Sequence, residues 1–174
     1  MYPLETLQLP VIREGDRTDT YLEDGTDSRG RRMYATLLDA YGGDPDKALR
    51  HYVQAYLASV TFADEMVGKV MEALDRSRFR DNTIVVLTSD HGYHMGEKDF
   101  LFKYSLWEES TRVPFIVRHP DYEHQAGSRV AHPIALVDLF PSNIDFCSWQ
   151  GETKISEKGA PIAGFSVKPF LEQP

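Results

Sequence analysis

An acid, two histidines and a second acid lie close together in Thr88-Ser-Asp-His-Gly-Tyr-His-Met-Gly-Glu-Lys98, directly after the apolar run Ile84-Val-Val-Leu87. Polar side chains at the carboxyl end of a strand are the usual position for a site in an α/β sheet. Three chemistries compete for Asp90, His91, His94 and Glu97. His91, His94 and Glu97, spaced by three, could line one helical face as zinc ligands. Gly92 and Gly96 interrupt the helix that this requires, and the His-Glu-x-x-His pattern is absent. A Ser-His-Asp hydrolase needs residues that converge from separate places, whereas Ser89, Asp90 and His91 are consecutive and no Gly-x-Ser-x-Gly occurs. The third chemistry is a hard divalent cation held partly by Asp90 with His91 beside it. Carboxylate oxygen suits calcium or magnesium, and such an ion neutralises charge on sulfate or phosphate oxygens. Local roles account for the same residues, with Asp90 capping the turn and His91 hydrogen-bonding nearby. The residue types leave both readings open.

The composition narrows the substrates and surroundings. The 27 acidic and 19 basic residues give a net charge of -8, so the chain has no electrostatic footprint for nucleic acid or an anionic membrane. An anionic substrate therefore needs a local cation. With 174 residues, 41% of them hydrophobic, the chain is long enough for one domain with a core. The longest apolar runs, 84–87 and 134–137, are too short to cross a bilayer, so no transmembrane segment is expected. No basic start followed by an apolar run marks a signal peptide. Cys147 is the single cysteine, which excludes an internal disulfide, and it reads as a small core residue.

The turn must be held by flanking elements. Apolar residues at Leu49, Val53, Tyr56, Val60, Ala63, Val67, Val70 and Leu74 alternate by four and three, which predicts a long amphipathic helix over 45–77. Asp44-Pro45 suits an N-cap and first-turn proline. A strand over 83–88, β-branched and read as buried on both faces, comes after the helix like half of a βαβ unit. A second strand is expected over 113–117 and a loop over 120–129. Residues 134–148 begin extended and end in a short helix near 138–146, with Asp138 as its cap. Residues 1–43 read as an irregular lead-in, where Asp16, Asp19, Asp24 and Asp27 lack the spacing of a calcium loop. Residues 44–150 form the helix–strand core with the metal-site turn, and 151–174 an irregular tail. Arg112 is expected to be a structural ion-pair partner of the nearby glutamates, and His119, His124 and His132 to be solvated.

Asn82-Thr-Ile-Val-Val-Leu-Thr-Ser-Asp-His-Gly, then Gly96-Glu97-Lys98, Phe102-Lys103 and Thr111-Arg-Val-Pro-Phe-Ile-Val117, resembles the second half of a sulfatase. The likeness is to the iduronate-2-sulfatase-like and choline-sulfatase-like branch. Val137-Asp-Leu-Phe-Pro141 and Gly164-Phe-Ser-Val-Lys-Pro-Phe-Leu171 resemble the region downstream of the site in that branch. The resemblance implies an α/β fold, part of the alkaline-phosphatase-like mixed sheet flanked by helices, as an incomplete domain. It implies that Asp90 and His91 are ligands of a calcium ion, in preference to magnesium. Lys103 is then the catalytic and substrate-binding cation on the sulfate, and an ammonium among Phe100, Phe102, Tyr104 and Trp107 is physically suited to that. His94 either lines the substrate pocket or hydrogen-bonds within the turn. The implied substrate is a sulfated carbohydrate or a small sulfate ester, and the implied compartment of the parent enzyme is periplasmic or secreted.

Sulfatases of this kind carry a formylglycine made from Cys or Ser in Cys/Ser-x-Pro-x-Arg. Cys147 is followed by Ser148-Trp-Gln-Gly151, no serine has proline two positions later, and no Asp-Asp pair occurs. The expectation is a segment of one sulfatase catalytic domain, inactive without the missing N-terminal half. The rival readings are a phosphomonoester or phosphonate-ester hydrolase of the same superfamily and a non-catalytic binding module derived from the fold.

Overall fold

The computed structural model describes residues 2–18, 20, 28–150 and 156–172. Asp19, Asp24, Asp27 and residues 151–155 lie outside the described residues. The chain divides into two compact units, residues 1–77 with 91–114 and residues 78–90 with 115–174.

The first unit is built on two helices. Helix α1 (Arg29–Ala40) is capped by Ser28, whose side chain accepts from the Arg31 amide. It falls inside the lead-in that the sequence suggests is irregular. Met33, Tyr34, Leu37 and Leu38 supply an apolar face at helical spacing, and that face packs into the core formed by Tyr34, Leu49 and Leu101. Helix α2 (Pro45–Asp75) starts as its sequence predicts, with the Asp44 carboxylate accepting from the Lys47 amide at 3.1 Å. Its first turns are fastened to the chain start: Arg50 donates to the Leu4 and Leu7 carbonyls and Gln54 to that of Tyr2. The apolar stripe is buried at Leu49 and Val53 and then emerges, with Val60 47% and Val70 67% exposed. A short hairpin, β2 (His94–Met95) against β3 (Leu101–Phe102), completes the unit.

Gly30 is where α1 meets β3. A Cβ there would lie 2.3 Å from the Phe100 ring and 2.4 Å from the Leu101 carbonyl oxygen, so the contact requires glycine.

In the second unit, β1 (Val85–Thr88) pairs antiparallel with β4 (Phe115–Arg118), Val85 opposite Arg118 and Thr88 opposite Phe115. Both strands begin two residues later than the sequence pattern suggests. The class is α/β as expected, and the described strands form two antiparallel pairs. β1 is not buried on both faces: Leu87 and its partner Ile116 are exposed. A 3-10 turn (Leu136–Asp138) leads into α4 (Leu139–Phe146), as expected. Asp138 does not cap that helix with its side chain. Its buried carboxylate accepts from Ala135 and Phe165 amides at 2.8 and 3.0 Å, and Ser142 accepts from the Val167 amide, so the tail is fastened to α4 by polar contacts that leave no periodic pattern. The chain then forms α5 (Pro169–Glu172). Cys147 is exposed rather than a core residue, because it lies just past the last turn of α4. His119 is half-buried against Tyr122 and Phe146, whereas His124 and His132 are exposed as expected, His132 lying beside Phe165 and Phe170. No helix among the described residues is long and apolar enough to cross a membrane.

Two glycines predict opposite signs. Gly30→Ala should lower stability by about 1–3 kcal/mol through overpacking. Gly68→Ala, in α2 with nothing within 4 Å of the new Cβ, should raise it by about 0.5–1 kcal/mol. Denaturant unfolding of both variants checks this, and a stabilising Gly30→Ala would contradict the α1–β3 contact.

Candidate active site

Asp90 lies in the second unit, exposed, two residues beyond the carboxyl end of β1. This is the expected position for a ligand at a strand end. The next residue, His91, belongs to the first unit. Its Nδ1 is 2.8 Å from the Gly92 carbonyl oxygen. A carbonyl only accepts, so Nδ1 carries a proton. Metal-binding histidines commonly make such a contact from one ring nitrogen to a backbone carbonyl or carboxylate. No group of three or more His, Cys, Asp or Glu among the described residues forms a metal cluster. A carboxylate such as that of Asp90 is a ligand type that suits a hard cation, and an imidazole follows it in the chain. A calcium ion takes about six to eight oxygen ligands, more than these two residues could supply.

Gly92 closes the next segment. Its amide donates to the Ser110 carbonyl at 2.7 Å, and a Cβ would fall 2.1 Å from the Glu109 carbonyl oxygen. The backbone thus runs directly against the short helix α3 (Glu108–Thr111). Inside this closed segment, His94 pairs with Phe102 and Met95 with Leu101. The hairpin turns through Gly96 at φ 116° and through Lys98 and Asp99, both left-handed.

His94 has no exposed surface. Its ring lies between Phe100 and Trp107, at centroid distances of 5.1 and 5.4 Å, and its Nε2 is 2.7 Å from Ser105 Oγ. Ser105 in turn donates to Ser110 Oγ at 2.9 Å and accepts from the Trp107 amide at 3.3 Å. His94 Nδ1 has no hydrogen-bond partner among the described residues. The nearest carboxylate oxygen, Glu97 Oε2 at 3.9 Å, accepts from the Met95 amide instead. Burial pushes the His94 pKa below the ordinary imidazole value, against the opposing charges of Glu109 and Glu97. The His94 ring is buried, and its hydrogen bond goes to Ser105, outside the turn in which the sequence suggests a local bond.

Lys103 is half-buried, with Nζ 5.8 Å from the Phe102 centroid and 5.6 Å from that of Tyr104. Phe102 and Tyr104 have φ of 80° and 72°. Aromatic residues rarely occupy that region, and each such residue costs roughly 1–3 kcal/mol unless its surroundings hold it there. Of the four aromatics expected around Lys103, Phe102 and Tyr104 flank its ammonium, while Phe100 and Trp107 pack on His94. Arg112 pairs with Glu108 at 2.7 Å on the surface, the structural role expected of it. Sequence reasoning missed Ser105 and Ser110. Neither has a motif, and only loop closure at Gly92 brings them to His94.

Residues 15–146 match the sulfatase family model. The chain belongs to the sulfatase family. This sulfatase chain is 32% identical over 158 residues to a sulfatase of Formosa agariphila, covering 91% of the chain and 30% of that protein. It is 41% identical over 101 residues to mouse iduronate 2-sulfatase, covering 58% of the chain and 17% of the relative. It thus spans less than a third of the length of either. Among solved structures, BT4656 in complex with its substrate D-glucosamine-2-N,6-O-disulfate matches 82% of the chain and 28% of its own, at TM-score 0.58 and 29% identity. A phosphonate monoester hydrolase from Silicibacter pomeroyi matches 98% of the chain and 33% of its own, at TM-score 0.66 and 23% identity, a likeness of fold.

The buried His94 sets a pH dependence. The unfolded chain takes up a proton near the ordinary value of 6.5, while the folded ring resists it. Stability is therefore lost as pH falls below that value. The melting temperature should drop between about pH 7.5 and about pH 5.5, and by less in His94→Gln. Equal drops in the two proteins would contradict the buried neutral ring.

Proposed function

We propose that this chain is a segment of a sulfatase catalytic domain that hydrolyses sulfate esters of sulfated carbohydrates. Asp90 and His91 supply two ligands of a calcium ion, in preference to magnesium, and Lys103 contacts the sulfate group. Three observations support this: membership of the family, the contact of His91 Nδ1 with a backbone carbonyl, and an ammonium held between two left-handed aromatic residues. The last carries most weight, because strained backbone persists where the surroundings fix a functional group. A bound calcium ion would supply positive charge against the sulfate oxygens. The half-buried Lys103 ammonium adds a second positive charge where water is partly excluded, which favours the extra negative charge of the transition state. In a chain of net charge -8, that local cation also offsets repulsion of the anionic substrate. BT4656, with its doubly sulfated glucosamine, supports a sulfated sugar as substrate. The parent enzyme is assigned to the periplasm or the exterior on the analogy of its family.

The formylglycine motif and the Asp-Asp pair are absent from these residues. The reading therefore has the 174-residue polypeptide inactive alone and dependent on an N-terminal half. A phosphonate or phosphate monoester as substrate is the second reading, favoured by the fold shared with the phosphonate monoester hydrolase.

In the enzyme expressed from its complete gene, Lys103→Ala should lower kcat by about 10²–10³-fold on a sulfated glucosamine. Asp90→Ala should remove activity that calcium restores to the chelator-treated wild type. Wild-type turnover by Lys103→Ala, or a higher kcat/KM on a phosphonate monoester than on the sulfate ester, would contradict the proposal. So would sulfate release by the 174-residue polypeptide alone.

A further inference from the structure

The position of Lys103 is governed by a group that never reaches the surface. We infer that His94 is a positioning residue, which fixes the backbone on both sides of Lys103 and so aims its ammonium. The inference rests on the proposed role of Lys103 at the sulfate group. On the N-terminal side of Lys103, Phe102 is paired with His94 itself in the β2–β3 register. On the C-terminal side, Ser105 receives the imidazole at 2.7 Å. Lys103 and Tyr104 are thus the only residues between two attachments to one side chain and its own backbone. Both flanks of Lys103 are left-handed, which free chain would not keep.

The direction of the hydrogen bonds is set by what Ser105 can do. Its hydroxyl gives its one proton to Ser110 Oγ and accepts from the Trp107 amide. The bond to His94 therefore takes the Nε2 proton, which leaves Nδ1 as a bare lone pair. That atom is the one without a partner among the described residues, buried beside a carboxylate oxygen that cannot donate to it. A side chain kept only for packing between Phe100 and Trp107 would be better served by leucine, which has no buried acceptor to leave unpaired. What histidine adds is the Nε2 donor to Ser105.

Lys103 itself supplies the readout. Limited acetylation of the complete enzyme, followed by mass spectrometry, gives the rate at Lys103 relative to the exposed Lys47. His94→Leu and Ser105→Ala should each change that ratio several-fold and lower kcat, up to about 10²-fold, with little change in KM. His94→Gln, whose amide can still donate to Ser105, should restore much of both. A folded His94→Leu protein, judged by wild-type reactivity at Lys47 and an intact melt, with an unchanged Lys103 ratio would overturn the inference. If His94→Leu does not fold, an unchanged ratio in Ser105→Ala does the same. Failure of Gln to restore the ratio also counts against it. Lys103→Ala separates the two proposals: normal turnover there removes the catalytic role of the lysine, while the acetylation ratio still decides whether His94 positions it.

Discussion

No side chain fits at Gly92, and the arrangement around Lys103 depends on that. The amide of Gly92 and the carbonyls of Glu109 and Ser110 meet where any Cβ would overlap the Glu109 oxygen. This backbone contact closes residues 92–110 into a loop, and closure costs conformational entropy that local contacts must offset. It brings Ser110 to Ser105 and Ser105 to His94. With the ends joined, the two-residue strands β2 and β3 need supply only a short register, His94 opposite Phe102, to hold the rest.

Several features of this loop work against stability. Phe102 and Tyr104 are left-handed, and the buried Nδ1 of His94 has no hydrogen-bond partner among the described residues. An unpaired buried polar atom costs about 1–3 kcal/mol. Together these approach the total stability of a small domain, about 5–15 kcal/mol. Such features concentrate where a geometry is needed that the chain would not choose. Here the two left-handed aromatics flank the Lys103 ammonium in a chain of net charge -8. The stabilising side is the aromatic packing of His94, Phe100 and Trp107 and the buried Leu49 and Leu101.

How far each feature could be read from the sequence depends on how it is encoded. Helix α2 is legible because its apolar residues repeat with the helical period and its Asp44-Pro45 start is a local signal. The strand before Asp90 is legible from its β-branched run, although its burial is not, because burial depends on partners outside the strand. Helix α1 is hidden by the Gly, Asp and Arg around it, which resemble a loop until the spacing of Tyr34, Leu37 and Leu38 is set against Leu49 and Leu101. In the candidate site, Asp90, His91, His94 and Lys103 stand out by chemistry and family resemblance. The serines that join His94 to the loop, and the left-handed flanks of Lys103, arise from closure at Gly92 and leave no periodic trace. For the same reason Asp138 reads as a helix cap but instead anchors the tail.

The central proposal is that Asp90 and His91 are ligands of a calcium ion and that Lys103 contacts the sulfate group of the substrate. The most direct measurement is a crystal structure of the complete enzyme with calcium and an uncleaved sulfated glucosamine. The account predicts calcium on Asp90 and His91 Nε2, with Lys103 Nζ about 2.7–2.9 Å from a sulfate oxygen. A sulfate bound without contact to Lys103, or calcium held by neither Asp90 nor His91, would contradict it.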